Sequence, residues 1–453
     1  MRDIVVFPKF RLGRRALVVA AVLAIGFGFA RPAAAALPDD VVGSIDVRTL
    51  VASDFKVYDL GYRDRRRKFD ARLGRLWRRL KAKQMQDGPL PCSTQIHIEA
   101  KWLLRYTADW KRLAIKLDRL EKSLMDPDQD FALAQSPEDG SWGACYDEWF
   151  LKLDATVDGL NALADNNEAP KHPVRFLARF AKPSALIPYV EDLLVSDVAR
   201  TGIDHRLELA AVTAAFAQIL LKQSLREFMR RKVTGAAVTD GLIAAFRGFL
   251  DRWQDPATGY WGASYLSGGR LHRTNDLSMA FHNISYARGE VRGWSRIVDT
   301  TLAIKRAPYP QGWLFKHAMT HHNNYDVVKI LQYGWPYMTA AQRRHARMEI
   351  EEMLHWCMTE GVGPDGVFLD KKDFYNSSGD ALYFGVAFLD TIGYWDSAKR
   401  FWIDAGSPRA SLTGAHDMCP RLKSQAARLA TADTGARAAL DRLVKICPEL
   451  PHP

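Results

Sequence analysis

Apolar side chains recur at three- and four-residue spacing along most of the chain, a pattern that predicts helices packed through one face. Phe69, Leu73, Leu76, Trp77 and Leu80 mark the first stripe. Trp102, Leu103, Tyr106, Trp110, Leu113, Leu117, Leu120 and Leu124 mark a second over 96–125, and Trp149, Leu151, Leu153, Val157, Leu160 and Leu163 a third over 146–164. Asn166-Asn167-Glu168-Ala169-Pro170 interrupts the pattern, which places a boundary there. Further helices are predicted over 183–194, 205–221, 241–253, 277–287, 294–304, 324–333, 340–358, 382–392 and 397–403. Strand-like pieces are confined to 261–265 and 367–369. The expected fold class is mostly α.

The first 36 residues obey a different rule. Arg2, Lys9, Arg11, Arg14 and Arg15 precede an apolar run over 16–30, then four alanines, Ala33 to Ala36. A run of about 15 apolar residues falls short of the roughly 20 needed to span a bilayer, and small residues suit a signal peptidase. The expectation is a signal peptide over 1–36 and a periplasmic or secreted protein. A helical N-terminal domain is expected over 37–169, a catalytic domain over 170–404 and a C-terminal helical hairpin over 405–453.

A hydrophobic content of 47% excludes a mainly disordered chain. Lys+Arg 63 against Asp+Glu 52 gives a formal net charge of +11. Removing 1–36 takes away six basic residues and one acid, leaving +6. Residues 63–83 hold eleven Lys/Arg against Asp64 and Asp70, a local +9, so the rest of the exported chain is net −3. Basicity thus belongs to one amphipathic helix, expected to contact an anionic surface or polymer; nucleic acid is not an expected partner. Five cysteines in a chain bound for an oxidising compartment favour the pairs Cys92 with Cys145 and Cys419 with Cys447, leaving Cys357 a buried thiol.

Three loops look alike. Gly140-Ser141-Trp142-Gly143-Ala144-Cys145-Tyr146 and Gly259-Tyr260-Trp261-Gly262-Ala263-Ser264-Tyr265 agree at Gly, Trp, Gly, Ala and Tyr, and Gly363-Pro364-Asp365-Gly366-Val367-Phe368 is a looser copy. Trp253-Gln254 followed by Gly259-Tyr260-Trp261 resembles the Gln–Gly–Trp repeat of terpene-cyclase and prenyltransferase toroids. The Asp-x-Asp-Asp motif of the cyclases is absent, so the likeness speaks for helical hairpins in a toroid and against cyclase chemistry. Together with export, the pattern over 175–404 resembles the (α/α)-toroid carbohydrate-active enzymes, which include glycoside hydrolases and polysaccharide lyases. That resemblance implies an (α/α) toroid of helical hairpins and a polysaccharide substrate.

Chemistry-bearing residues are densest between Trp261 and Asp380. Polysaccharide β-elimination needs a group that neutralises a uronate carboxylate, a base for the adjacent proton and an acid for the leaving oxygen. His321-His322-Asn323-Asn324-Tyr325 supplies those types, and resembles the Asn-Asn-His run of toroid lyases in reversed order. Elimination is the first expectation, with Asn324 holding the carboxylate, His322 as base and Tyr325 or Tyr286 as acid. Hydrolysis, the alternative, needs two carboxyl groups, drawn from Asp276, Asp326, Asp373 and Asp380. Trp261, Tyr265, Arg273, His282, Trp313, His321 and Tyr375 are the expected substrate-binding residues. His345, Glu349, Glu352 and His355 share one helix face, but no partner helix of Glu-x-x-His type accompanies them. No metal or cofactor is expected. A non-catalytic glycan-binding or assembly factor using the same cleft is the remaining reading.

Overall fold

The computed structural model describes residues 39–41, 46–126, 128–363, 366–369, 378–396, 398–403, 415–430 and 434–447. Strand β1 (Asp39–Val41) precedes helices α1 (Val47–Tyr58), α2 (Tyr62–Asp87), α3 (Pro91–Tyr106), α4 (Trp110–Ser123), α5 (Trp149–Asp165) and α6 (Pro183–Asp192). Strand β2 (Val195–Ser196) leads to α7 (Val198–Thr201), α8 (Arg206–Leu221), α9 (Gln223–Lys232) and α10 (Asp240–Trp253). The hairpin β3 (Ser264–Ser267) and β4 (Arg270–Arg273) follows, then α11 (Leu277–Tyr286), α12 (Trp294–Ala303), α13 (His321–Gly334), α14 (Ala340–Thr359), α15 (Ser378–Thr391), α16 (Ala415–Leu429) and α17 (Thr434–Ile446). The protein is mostly helical, and the strands form one small sheet in the order β1-β4-β3-β2. Among the described residues no helix is long and apolar enough to cross a membrane.

Helices α5, α8, α11, α13, α15 and α17 pack in series, each against the next. A second set lies against them: α6 and α10 on α8, α12 and α14 on α13, and α16 on α15 and α17. Helix α8 joins two hydrophobic cores. Its Leu209 and Ala210 belong to one with Tyr260, Ile284, Val327, Ile350 and Phe388, and its Val212, Phe216 and Ile219 to the other with Leu103, Leu117, Val157 and Phe246. Being apolar on every side, it suits a fully buried position.

The first two of the three loops are the same structure, and Pro364 and Asp365 of the third lie outside the described residues. In the first, the Ser136 N–H donates to the Ser141 carbonyl and the Gly140 N–H to the Ser136 carbonyl; in the second, Asp255 donates to Tyr260 and Gly259 to Asp255. Gln135 Nε2 donates to the carbonyls of Gly140 and His172, and Gln254 Nε2 to those of Gly259 and Arg292. Both turns need glycine, at φ 74° and 72°, and a Cβ would fall 2.2 Å from the Pro173 oxygen or 2.8 Å from Ile297 Cγ1. Each loop therefore turns the chain into a helix of the inner series (α5 or α11) and is stitched to the segment leaving that helix.

Several helix limits differ from the periodicity. The stripe over 96–125 is two helices, because Asp109 caps a new one by accepting the Arg112 N–H while Thr107 bonds back to Leu103. Of the helix predicted over 397–403, Ser397 lies outside the described residues and Arg400–Trp402 form a short 3-10 turn instead: Phe401, Trp402 and Ile403 take positive φ, Phe401 is buried and Trp402 Nε1 donates to the Thr391 carbonyl. Both disulfides, Cys92–Cys145 and Cys419–Cys447, are formed and Cys357 is a buried thiol, as the sequence predicts.

Candidate active site

Four helices of the inner series bring polar and aromatic side chains together. Helix α5 buries Phe150, Leu151, Leu153, Val157 and Leu160, which leaves Asp154 and Asp158 a turn apart on the opposite side. Helix α11 offers His282 and Tyr286, again a turn apart, with rings 5.5 Å apart. Helix α13 offers His322 and Tyr325, and α15 offers Asp380, Tyr383 and Phe384. The rings interlock: His322 lies 4.3 Å from Phe384, Tyr325 6.2 Å from Phe384 and 6.5 Å from Tyr383, and Phe281 joins Tyr325 at 5.4 Å.

Asp154 and Asp158 carry accessible surface, yet protein surrounds them closely enough to penalise their charged forms. Burial raises Asp154, and burial together with the charges of Asp154 and Asp380 pushes Asp158 up to about 7. Tyr286 is pushed far up by burial, with Tyr383, Asp154, Tyr325 and Asp158 adding to the effect. His282 falls to about 3 through burial and the nearby His322 and Arg206; His322 falls to about 4 through burial, against a partial rise from its 3.1 Å contact with Asn323 Oδ1. The cleft at neutral pH thus holds neutral imidazoles, neutral phenols and a carboxyl poised between its two states.

Beneath it lies a buried polar layer. Arg206, at the start of α8, donates from Nε to Asp276 Oδ2 at 2.8 Å and from Nη2 to Oδ1 at 3.1 Å. Asp276 is 0% exposed and also caps α11 by accepting the Met279 N–H. Asp326 is 1% exposed, and neither of its carboxyl oxygens has a hydrogen-bond partner. Burial and the neighbouring Asp276 raise it well above the carboxylate range, so it is held as the neutral acid, 3.9 Å from His322 Nδ1.

The residues singled out by sequence are distributed between these layers and the core. His282, Tyr286, His322, Tyr325 and Asp380 meet in the cleft. Asn324 lies on the buried side of α13 at 1% exposure, about two hundred degrees round the helix from His322. His321 is fixed by Gly361, its Nε2 3.0 Å from that carbonyl, and its Nδ1 is 3.8 Å from Cys357 Sγ. Trp261, Tyr265 and Trp313 are buried, with Trp261 Nε1 donating to Leu250 and the Tyr265 hydroxyl to Asp204. Arg273 is half-buried on β4, 3.8 Å from Asp255. Asp373 and Tyr375 lie outside the described residues. On α14, Lys305 Nζ sits between Glu349 at 2.5 Å and Glu352 at 2.7 Å, so that acidic face is answered by a lysine.

Sequence reasoning passed over Asp154 and Asp158, because acids on a helix face are ordinarily solvated. The signal was present in the repeat: α5 follows the loop at 140–146 as α11 follows that at 259–265, so α5 belongs with the site-bearing helices. No family model, no curated protein and no solved structure matches the chain.

Proposed function

We propose that this is an exported enzyme that cleaves a polysaccharide by hydrolysis, with α5, α8, α11, α13, α15 and α17 as the inner helices of an (α/α) toroid. The observation that carries this reading is that Asp154 and Asp158 of α5 stand close enough to Asp380 of α15 for its charge to act on Asp158, with Tyr286, Tyr325, Tyr383 and Phe384 grouped about them. Hydrolysis of a glycosidic bond needs one carboxyl that is protonated at working pH and one that is not. Asp158 is the general acid, kept protonated by its crowded site and by the two neighbouring acids. Asp380, from a different helix, is the base or nucleophile, and its charge helps to hold the proton on Asp158. The aromatic rings supply stacking faces for sugars. Export is supported by the signal-like start, and the two disulfides are compatible with an extracellular or periplasmic site.

β-Elimination is the second reading, favoured by one observation: His322 stays neutral down to about pH 4 and stands beside Tyr325 and Tyr309, which offers a base and an acid. Three acids there disfavour a uronate, and the buried Arg206, whose charge reaches His282, is already taken by Asp276. Incubation with neutral and acidic glycans decides between the two. New reducing ends lost in Asp158→Asn support hydrolysis. Unsaturated-uronate absorbance lost in His322→Ala overturns it in favour of elimination, and glycan binding without either product leaves a binding factor.

A further inference from the structure

Helix α2 runs for 26 residues, about 39 Å, and its faces are divided. Tyr62, Leu73, Leu76 and Leu80 are buried, and Phe69 and Trp77 stack on Trp110 and His97 of the adjoining helices. Its flanks are answered by acids: Arg72 meets Asp118 and Glu121 of α4, Arg79 meets Glu121, Arg65 meets Asp59, and Lys83 meets Asp87. The outward face carries Arg63, Arg67, Lys68, Arg75 and Arg78, all exposed. Asp64 pairs with Arg67 at 3.0 Å; Arg63, Lys68, Arg75 and Arg78 form no ion pair with a described residue.

Like charges three or four residues apart repel, and here Lys68, Arg72, Arg75, Arg78 and Arg79 form an unbroken run of such neighbours. A helix under no other demand would alternate signs. The excess is also local, since the remainder of the exported chain is net negative. Four of the five outward cations are arginines, whose planar forks match carboxylate, sulfate and phosphate groups. Insertion into a lipid surface needs bulky apolar residues on the outward face, and on α2 those residues already serve the core. We propose that the outward face of α2 is a docking surface for an anionic polysaccharide chain, gripped along Arg63, Arg67, Lys68, Arg75 and Arg78. The surface is independent of which bond the cleft breaks, and it would hold the enzyme on a charged glycan matrix.

The full chain is titrated with polygalacturonate, with heparin, with neutral dextran and with vesicles containing phosphatidylglycerol. Binding is expected to both charged polymers and to neither dextran nor vesicles. It weakens by about tenfold or more between roughly 0.05 and 0.5 M salt, as the screening length shortens. The variant Arg63→Gln/Lys68→Gln/Arg75→Gln/Arg78→Gln loses about tenfold or more in affinity with a thermal transition no lower than the wild type's, since these side chains are exposed and their mutual repulsion is relieved. The same positions changed to Lys, where already Arg, retain salt-dependent binding. Wild-type affinity in the Gln variant, salt-insensitive binding, binding to dextran, or preference for the vesicles would each overturn the assignment.

Discussion

Arg206 and Asp276 stand 70 positions apart in sequence yet form a two-bond ion pair that joins the starts of α8 and α11 under the cleft. Both are buried, so the pair is costly to break from one side: removing the guanidinium strands a carboxylate that water cannot reach. Arg206→Met is expected to lower unfolding free energy by about 3–5 kcal/mol in denaturant titration. Arg206→Met with Asp276→Leu recovers part of that loss, because no lone charge remains, although the α11 cap is still missing. If the double variant is as unstable as the sum of the two single ones, the pair is not coupled.

Asp158 makes a prediction with a definite sign. A solvated aspartate ionises near pH 4, whereas Asp158 ionises at about 7, so between these limits the folded protein holds a proton that the unfolded chain has released. Its contribution to stability is therefore fully present below about pH 4 and is lost as pH rises to 7. Asp158→Asn removes that fall, which thermal unfolding across this range would record as a flatter profile. In catalysis the same group sets the alkaline limb: kcat/KM of the wild type falls above about pH 7, and the Asn variant loses about a hundredfold or more.

The two histidines act in the opposite direction. An exposed imidazole titrates near 6.5, while burial holds His322 near 4 and His282 near 3. As pH falls below about 6.5 the unfolded chain takes up protons that the folded chain refuses, so stability declines towards pH 4. Imidazole resonances of both residues are expected to show the neutral form at pH 5.5. A midpoint for His322 above 6 would mean that its site is wetter than its packing against Phe384 and Tyr309 implies.

How much of this was legible depends on which force fixed each feature. Helices α5, α8, α11, α13 and α15 were readable from their runs of apolar residues, α17 only as part of a C-terminal hairpin, and the disulfide partners because each pair closes a local segment. The repeat was readable because its geometry needs glycine at 140 and 259. What was not readable was which polar residue faces which way. Asn324 and His322 are two positions apart, so the helix turns one into the packed core and the other into the cleft. Asp154 and Asp158 carried no signal of their own, because it is the charge of Asp380, brought from a distant helix, that sets them apart from an ordinary solvated face.

The disulfide at Cys92–Cys145 spans 53 residues and that at Cys419–Cys447 spans 28. Loop-closure entropy gives about 4 kcal/mol for the first and somewhat less for the second, acting through the unfolded chain. Cys92→Ala/Cys145→Ala is expected to lower stability by up to about 4 kcal/mol, and reduction of the wild type, which opens both bonds, should cost more than that variant does. Equal stability with and without reductant would show that the bonds are dispensable.

Gln135 and Gln254 offer the sharpest test of the repeat as a structural unit. Each amide donates twice, to the glycine carbonyl of its own loop and to a carbonyl in the segment after the inner helix, His172 or Arg292. Replacing either by leucine removes both bonds, and at Gln135 also the one its Oε1 accepts from the His172 N–H, at a cost of about 1–3 kcal/mol where the freed groups find no water. Gly259→Ala strikes the same joint from the other side, combining a left-handed φ of 72° with a methyl 2.8 Å from Ile297 Cγ1, and should cost at least as much. The two loops lie far apart in sequence and share no partner, so Gln135→Leu and Gln254→Leu together should be additive within about half a kcal/mol. A loss well beyond the sum would mean that the hairpins transmit strain to each other through the helix series, and that the repeat is one cooperative unit instead of two independent joints.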